Sequence, residues 1–146
     1  MCFGNPYGEV RRLNILDYWI SNLIDLGIEL ISLSDTIGSA TPKTINVVYE
    51  YFSMKYPNVE FGLHLHSHSQ FWREKVETSI DAGCLRIDGA IQGFGGCPMA
   101  SDKMIGNMPT EKIITFCKEK GIESGINPLK FEAAYNYASD IFLNYR

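Results

Sequence analysis

Short apolar segments alternate with longer stretches of helical periodicity along most of this chain. Strand-forming residues are concentrated in three short segments, residues 28–34, 59–66 and 84–91. Apolar positions recur at helical spacing in the longer stretches, residues 10–26, 42–55, 69–82, 109–120 and 128–144. Residues 1–8 are expected to be the end of a further strand that runs into a turn. The alternation predicts an α/β fold with about four parallel strands, joined by right-handed helical crossovers.

Local signals at the segment boundaries agree with this assignment. Thr41 is expected to cap the helix that follows it, whose first residue is a proline. Residues 92–108 are rich in glycine and lack periodicity, and loops of that length in a compact domain are usually functional or disordered. In the last helix, the aromatic residues Phe131, Tyr135 and Phe142 are expected to pack into the core.

Polar side chains gather where the predicted strands end. His64 and His66 alternate with leucines, so both imidazoles point to the same face of their strand. Asp35 follows the preceding strand, and Asp88 lies in the next one. Because sites in α/β proteins lie at the carboxyl ends of the strands, we expect these residues to lie together. Two histidines in this arrangement are typical of a divalent-metal chelate, and a hydrogen-bonded pair is the alternative.

Composition and charge exclude several classes of function. The net charge of −4 gives no indication of a nucleic-acid partner, and the longest apolar runs are too short to span a membrane. The first residues lack the basic and apolar regions of a signal peptide. None of the four cysteines forms a C-x-x-C pair, so a reduced cytoplasmic setting is expected. Cys97 differs from the others because it lies in the glycine-rich loop, where by itself it is an ordinary loop thiol.

Four short motifs carry a family resemblance. They occur in order and at fitting separations: Ser34-Asp35-Thr36-Ile37-Gly38, His64-Leu65-His66, Gly93-Phe94-Gly95-Gly96-Cys97-Pro98-Met99-Ala100 and Gly106-Asn107-Met108-Pro109-Thr110-Glu111. Together they resemble the hydroxymethylglutaryl-CoA lyase family, which belongs to the metal-dependent lyases and synthases built on a TIM barrel. The Gly-Gly-Cys-Pro run separates the lyase from related isopropylmalate and homocitrate synthases.

The resemblance implies that residues 1–146 form the C-terminal half of a pyruvate-carboxyltransferase-like (β/α)₈ barrel domain. The strands would be numbers five to eight, with helices on one face and an additional C-terminal helix. The family's metal-binding aspartate and its neighbouring arginine belong to strand one, which has no counterpart here. The expectation is therefore a fragment, a truncated reading frame, or a half-barrel completed by another chain.

The resemblance also implies the site residues. His64, His66 and Asn107 would bind a divalent metal, with Mg²⁺ or Mn²⁺ favoured by the mixed nitrogen and oxygen ligands. Cys97 matches the catalytic cysteine, and Asp35 matches an acidic residue near the site. Glu111 would support the helix after the loop. The substrate would be a CoA thioester, but the residues that bind CoA are not indicated; Arg73 and Lys103 are candidates for its phosphates.

The implied reaction is a retro-Claisen cleavage of 3-hydroxy-3-methylglutaryl-CoA to acetyl-CoA and acetoacetate. One alternative is a Claisen-type synthase of the same superfamily. The other is a non-catalytic half-barrel that associates with a partner. A parallel sheet with helices on one face leaves its other face uncovered, so we expect a homo-oligomer or complementation by an N-terminal half-barrel, and no stable monomer.

Overall fold

The computed structural model describes residues 1–98, 100 and 105–145 of the chain. Expected features that fall on the remaining residues, such as Lys103 as a phosphate ligand, lie outside the described part. The elements in chain order are α1 (Leu13–Asp25), β1 (Leu30–Asp35), α2 (Pro42–Lys55), β2 (Glu60–Ser67), α3 (Trp72–Asp81), a 3₁₀ turn (Ile91–Gly93), β3 (Gly106–Asn107), α4 (Thr110–Glu119), α5 (Pro128–Phe142) and a 3₁₀ turn (Leu143–Tyr145).

The central pair of strands is parallel, as predicted. β1 and β2 pair in register from Leu30 with Glu60 to Asp35 with Leu65. On the outer side of β1, the N–H of Cys2 donates to the carbonyl of Ser34 at 2.8 Å, so the start of the chain lies where a neighbouring strand is expected. The fold is therefore α/β with parallel central strands and helical crossovers.

The predicted strand over residues 84–91 is much shorter in the structure. It reaches β2 through one parallel bridge between Leu63 and Ile87, and residues 91–93 already form a 3₁₀ turn. Among the described residues, β1 and β2 are the two regular parallel strands, so the expectation of about four regular strands is not met at the two outer positions. A short strand that the sequence did not predict, β3, pairs antiparallel with the end of β2.

The apolar core lies between the outer face of the sheet and helices α2 and α3. Leu33, Leu63 and Leu65 from the strands meet Val48 and Phe52 from α2, and all five side chains are completely buried. The predicted boundary of α2 is confirmed: the Thr41 side chain accepts from the N–H of Thr44, whose hydroxyl accepts from the N–H of Thr41, which satisfies two of the free donors at the helix start. These contacts fix the orientation of β2.

The inner face of the sheet is polar. Ser32, Ser34, Gly62 and His64 alternate with the buried outer residues along β1 and β2. Arg86 extends over Gly62 so closely that a Cβ atom there would lie 2.8 Å from Nε, so a larger residue at this position would displace the guanidinium group. The sheet thus separates an apolar helix-covered face from a polar face.

The C-terminal helix does not join the core, which corrects the expectation for its aromatic residues. None of the residues of α5, all of which are described, is buried. Phe131 and Tyr135 are partly buried and face each other, whereas Phe142 stacks on Phe94 of the glycine-rich loop. Helix α5 therefore covers the loop, not the sheet. Within the described residues, no helix is both long and apolar enough to cross a membrane.

Candidate metal site

His66 lies at the end of β2 between two polar groups and is 4% exposed. Its Nδ1 is 3.0 Å from the backbone carbonyl of Thr36, and its Nε2 is 2.9 Å from Oδ1 of Asn107. Asn107 comes within reach because β3 places it directly opposite His66 in the antiparallel pair. The other end of the amide, Nδ2, donates to the carbonyl of Phe94 at 2.9 Å.

This row of contacts has one proton too few. A backbone carbonyl can only accept, so Thr36 requires the neutral ring to carry its proton on Nδ1, and Phe94 requires the Asn107 amide to present Nδ2. His66 Nε2 and Asn107 Oδ1 then face each other as two lone pairs. A second proton on the ring removes the conflict, and so does a metal ion shared between the two atoms, because two adjacent ligands of an octahedral ion at about 2.1 Å are about 3 Å apart.

His64 lies near a carboxylate from the segment that follows α3. Its Nδ1 lies 3.5 Å from Oδ2 of Asp88, which also accepts a 3.0 Å hydrogen bond from the hydroxyl of Ser32. The rings of His64 and His66 have their centroids 5.2 Å apart. In metal sites, a ligating histidine commonly uses its second nitrogen to bond a carboxylate or a carbonyl. Asp88 and Thr36 provide one such group for each histidine.

The third ligand candidate is supplied by an amide. In the described part of the chain, no three side chains among His, Cys, Asp and Glu form a group that could hold a metal. The structure brings His64, His66 and Asn107 together, as the family resemblance implied. Two imidazoles and one amide oxygen fit a divalent cation with open coordination positions. Their role as ligands stays a prediction.

The glycine-rich loop approaches β3 through backbone contacts. A Cβ atom at Gly93 would lie 2.7 Å from the carbonyl oxygen of Asn107, so a side chain is not tolerated there. Gln92 adopts a φ of 59°, which is unusual for a residue with a side chain. Its N–H donates to the carboxylate of Glu111 at 2.9 Å. Glu111 therefore connects the start of α4 to the loop, a contact of the kind that its expected supporting role requires.

Cys97 lies in this loop and is partly buried, with its carbonyl accepting from the N–H of Ala100 at 2.9 Å. The other three cysteines are also free thiols, and burial raises the pKa of Cys2, Cys84 and Cys117. A thiol with a raised pKa stays protonated and unreactive near neutral pH. Cys2, Cys84 and Cys117 are therefore structural thiols, and the catalytic role of Cys97 stays a prediction.

Asp35 lies on the opposite side of the sheet from the two histidines. It pairs in register with Leu65, and its side chain is completely buried. Its carboxylate accepts from the ammonium group of Lys75 and from the N–H of Ala40, both at 3.1 Å. Asp35 is thus part of a buried ion pair. This geometry favours a role in holding the strand ends in position, and a catalytic role for Asp35 stays a prediction.

Lys75 is the residue of this network that the sequence analysis did not single out. Its ammonium group also donates to the carbonyls of Gly38 at 3.1 Å and of His66 at 2.7 Å. One buried cation therefore joins the segment after β1 to the end of β2. The available signal was its position one residue before the core residue Val76, on the apolar face of α3.

Arg73, a candidate for the CoA phosphates, lies in the outer helical layer. Its guanidinium group contacts the carboxylate of Glu119 at 2.6 Å and lies over the ring of Phe116. These contacts connect α3 to α4.

Comparison with known proteins assigns the family. The fold and the polar cluster at the strand ends are those of an α/β protein with its site at the carboxyl edge of the sheet. The HMGL-like family model matches residues 12–137, and the chain belongs to this family. It is 28% identical over 138 residues to hydroxymethylglutaryl-CoA lyase YngG of Bacillus subtilis, which covers 94% of this chain and 46% of the relative.

Two further comparisons define the extent of the likeness. A crystal structure of the Bacillus subtilis HMG-CoA lyase superposes with a TM-score of 0.85 and 28% identity, covering 95% of this chain and 46% of that one. (R)-citramalyl-CoA lyase of Chloroflexus aurantiacus is 28% identical over 137 residues, which is 94% of this chain and 43% of the relative. The chain therefore spans about half the length of the curated relatives that it matches.

Replacement of Asp35 tests the buried ion pair. We expect Asp35→Asn to lower the free energy of unfolding by about 3–5 kcal/mol, because Lys75 keeps its charge in the interior without a counter-charge. The double variant D35N/K75M is expected to recover part of this loss. Urea unfolding followed by circular dichroism measures both. The exposed ion pair of Arg73 with Glu119 gives a matched control, since Glu119→Gln is expected to lower the free energy of unfolding by at most about 1 kcal/mol. Equal losses for D35N and E119Q would contradict the assignment.

Proposed function

We propose that this chain is the metal-binding C-terminal half of a carbon–carbon lyase that cleaves a CoA thioester of the hydroxymethylglutaryl type. Residues 1–146 then correspond to strands five to eight of a TIM barrel domain. The observation that carries the proposal is the 2.9 Å contact of His66 Nε2 with Asn107 Oδ1, two atoms that can both serve as ligands of one divalent cation. Family membership supplies the class of reaction.

In the proposed reaction, the tertiary hydroxyl of 3-hydroxy-3-methylglutaryl-CoA gives its proton to water as the adjacent carbon–carbon bond breaks. The products of this step are acetoacetate and the enolate of acetyl-CoA. His64, His66 and Asn107 would hold a divalent ion, with Mg²⁺ or Mn²⁺ favoured, which would supply Lewis acidity at the substrate oxygen. The thiol of Cys97 gives its proton to the enolate carbon, which completes acetyl-CoA, and the resulting thiolate takes a proton back from water.

The residues around the ligands have supporting tasks in this proposal. Asp88 and the Thr36 carbonyl hold the two imidazoles in the tautomer that leaves Nε2 free. The Asp35–Lys75 pair fixes the backbone of the same strand ends from the opposite face. Asp35 then acts on catalysis through the position of its neighbours, without contact to the substrate.

The substrate class rests on the relatives. One is named for hydroxymethylglutaryl-CoA and another for (R)-citramalyl-CoA, at the same identity of 28%. Both names describe cleavage of a CoA thioester, which is the shared chemistry that we assign. A synthase that joins an acyl-CoA to a 2-oxo acid is the alternative enzyme, and a non-catalytic half-barrel is the alternative for the chain by itself. A cytoplasmic location stays a prediction.

Metal titration tests the site directly. We expect the chain to bind Mn²⁺, and His64→Ala, His66→Ala and Asn107→Ala each to weaken binding at least about tenfold, because each removes a ligand. Isothermal titration calorimetry and the electron paramagnetic resonance signal of free Mn²⁺ measure the affinity. His68→Ala, two residues beyond the pair, is the matched control and is expected to bind as the parent does. Unchanged affinity in both H66A and N107A would refute the site.

Turnover tests the proposed half-barrel. We expect the isolated chain to release little or no acetoacetate from hydroxymethylglutaryl-CoA, and a mixture with the N-terminal half of a family member, plus Mn²⁺, to release it. In that mixture Cys97→Ala is expected to lower the rate by about 10²–10⁴-fold, through loss of the general acid. Cys2→Ala, a thiol away from the loop, is the control.

Three outcomes would count against this scheme. Undiminished acetoacetate from the C97A mixture would remove Cys97 from the mechanism. Turnover by the isolated chain at the rate of a full-length relative would contradict the half-barrel. Release of free CoA with a 2-oxo acid as co-substrate, without cleavage, would favour the synthase.

The assembly proposal rests on an apolar edge beside the last strand segment. Leu85 is 97% exposed, and it borders a cavity of about 360 Å³ lined by Ile87, Ile114, Ile122 and Ile126, among others. Apolar surface of this kind at a sheet edge favours association. We propose that a second copy of the chain covers it, in a two-fold dimer of half-barrels.

Light scattering tests this dimer. We expect the purified chain to have the mass of a dimer at micromolar concentration. Leu85→Asp is expected to shift it toward monomer, because the charge would be buried at the contact. Leu129→Asp on α5, where the parent leucine is 77% exposed, is the matched control and should stay dimeric. A monodisperse, cooperatively unfolding monomer of the parent chain would refute the proposal.

A further inference from the structure

The C-terminal turn of α5 holds the part of the glycine-rich loop that precedes Cys97. The ring of Phe142 stacks on the ring of Phe94, with centroids 3.8 Å apart and planes inclined by 5°. One turn earlier, the hydroxyl of Ser139 accepts a hydrogen bond from the side-chain amide of Gln92. Residues 139 and 142 are three apart and so lie on the same face of the helix.

The loop needs external contacts to keep this shape. Gln92, Gly93 and Gly95 all have positive φ angles, of 59°, 62° and 83°. Such a conformation is strained at a residue with a side chain, here Gln92, and it persists when the surroundings hold it in place. Glu111 fixes the backbone N–H of Gln92, and α5 fixes the side chains of Gln92 and Phe94. Helix α5 is therefore part of what determines the loop conformation.

The loop in turn orients Asn107. The carbonyl of Phe94 accepts from Asn107 Nδ2 at 2.9 Å, and this bond leaves Oδ1 facing His66 Nε2 at 2.9 Å. If Phe94 shifts, the amide loses the partner that distinguishes its nitrogen end from its oxygen end. The path from α5 to the candidate ligand thus has two contacts, ring to ring and carbonyl to amide.

We infer that Phe142 is a positioning residue for Asn107, so that the C-terminal helix tunes the affinity of the metal site through the Phe94 carbonyl. This inference rests on the proposed function for its effect on metal binding, whereas the effect on the Asn107 amide stands without a metal. Phe142 touches no ligand itself. Its role is to keep the Phe94 carbonyl where Asn107 Nδ2 can reach it.

The test compares Phe142→Leu with Phe131→Leu. Both replace an aromatic residue of α5 by an apolar one that retains helix propensity, but Phe131 lies near the N-terminal end of the helix, where its ring packs on Tyr135. We expect F142L to weaken Mn²⁺ binding about tenfold, the lower end for loss of a group that orients a ligand. F131L is expected to bind as the parent does, and Phe142→Tyr, which can still stack, to restore the affinity.

A metal-free readout separates this inference from the proposed function. In the ¹H–¹⁵N spectrum of the metal-free chain, the side-chain amide of Asn107 is expected to exchange slowly with solvent. We expect that protection to be lost in F142L and kept in F131L and F142Y. Failure of the parent chain to bind Mn²⁺ would remove the proposed function and leave the amide readout to decide the inference.

Unchanged Asn107 exchange and unchanged Mn²⁺ affinity in F142L, with α5 still helical by circular dichroism, would overturn the inference. If F142L does not fold, Ser139→Ala removes the second contact on the same turn. That variant is expected to show the same loss of amide protection to a smaller degree. An S139A chain with full protection of the Asn107 amide would then overturn the inference.

Discussion

The contact between His66 and Asn107 is the constraint on which the site depends, and backbone carbonyls create it. The Thr36 and Phe94 carbonyls each require a donor, and the two side chains between them provide one proton too few for the central contact. The positions of these two carbonyl groups are fixed by the fold, so the side chains between them must adapt to both. The backbone of the fold therefore contributes to the proposed cation site, in addition to the side chains of His66 and Asn107.

The two faces of β2 have different roles: the outer face contributes to stability, and the inner face carries the candidate site. The outer residues Leu63 and Leu65 are completely buried against the helices, which places the strand. The inner residues Gly62 and His64 do not contribute to the apolar core. The inner face of the strand can therefore carry the polar side chain of His64. Lys75 couples the faces, because its buried ammonium group reaches the carbonyl of His66 from the helical side. Loss of the ion pair would thus disturb a strand end that also carries a candidate ligand.

What the sequence predicted well is what local pattern determines. The alternation in β2 placed His64 and His66 on one face, and the Thr41 cap located the start of α2. The resemblance supplied Asn107, which no periodicity marks. The antiparallel pairing of β3 was missed because two residues carry no strand signal and the contact is long in sequence. Segment 84–91 was overpredicted because its apolar residues suit a strand that has neighbours on both sides.

Helix α5 shows a different limit. Its aromatic spacing correctly predicts an apolar face, but periodicity does not tell which surface that face will cover. Here the partner is Phe94 in a loop, not the sheet. Lys75 was missed for the converse reason, since a lysine in a helix is usually solvent-exposed, and its three partners Asp35, Gly38 and His66 come from distant parts of the sequence.

The charge of the candidate site links metal binding to assembly of the chain. His64, His66 and Asn107 are neutral as ligands, so a divalent ion held by them keeps its full charge in a partly buried position. The carboxylate beside His64 is Asp88, which already accepts from Ser32. On the same face, Arg86 adds a positive charge: its Nε lies 3.2 Å from Glu60 without hydrogen-bond alignment, and neither Nε nor Nη2 has a hydrogen-bond partner among the described residues. In the proposed half-barrel, a divalent ion at this face would be stabilised most by carboxylates from outside the sheet. The proposed substrate would provide one, and a chain that closes the barrel would provide another, so affinity for the metal and association of the half-barrel are expected to rise together.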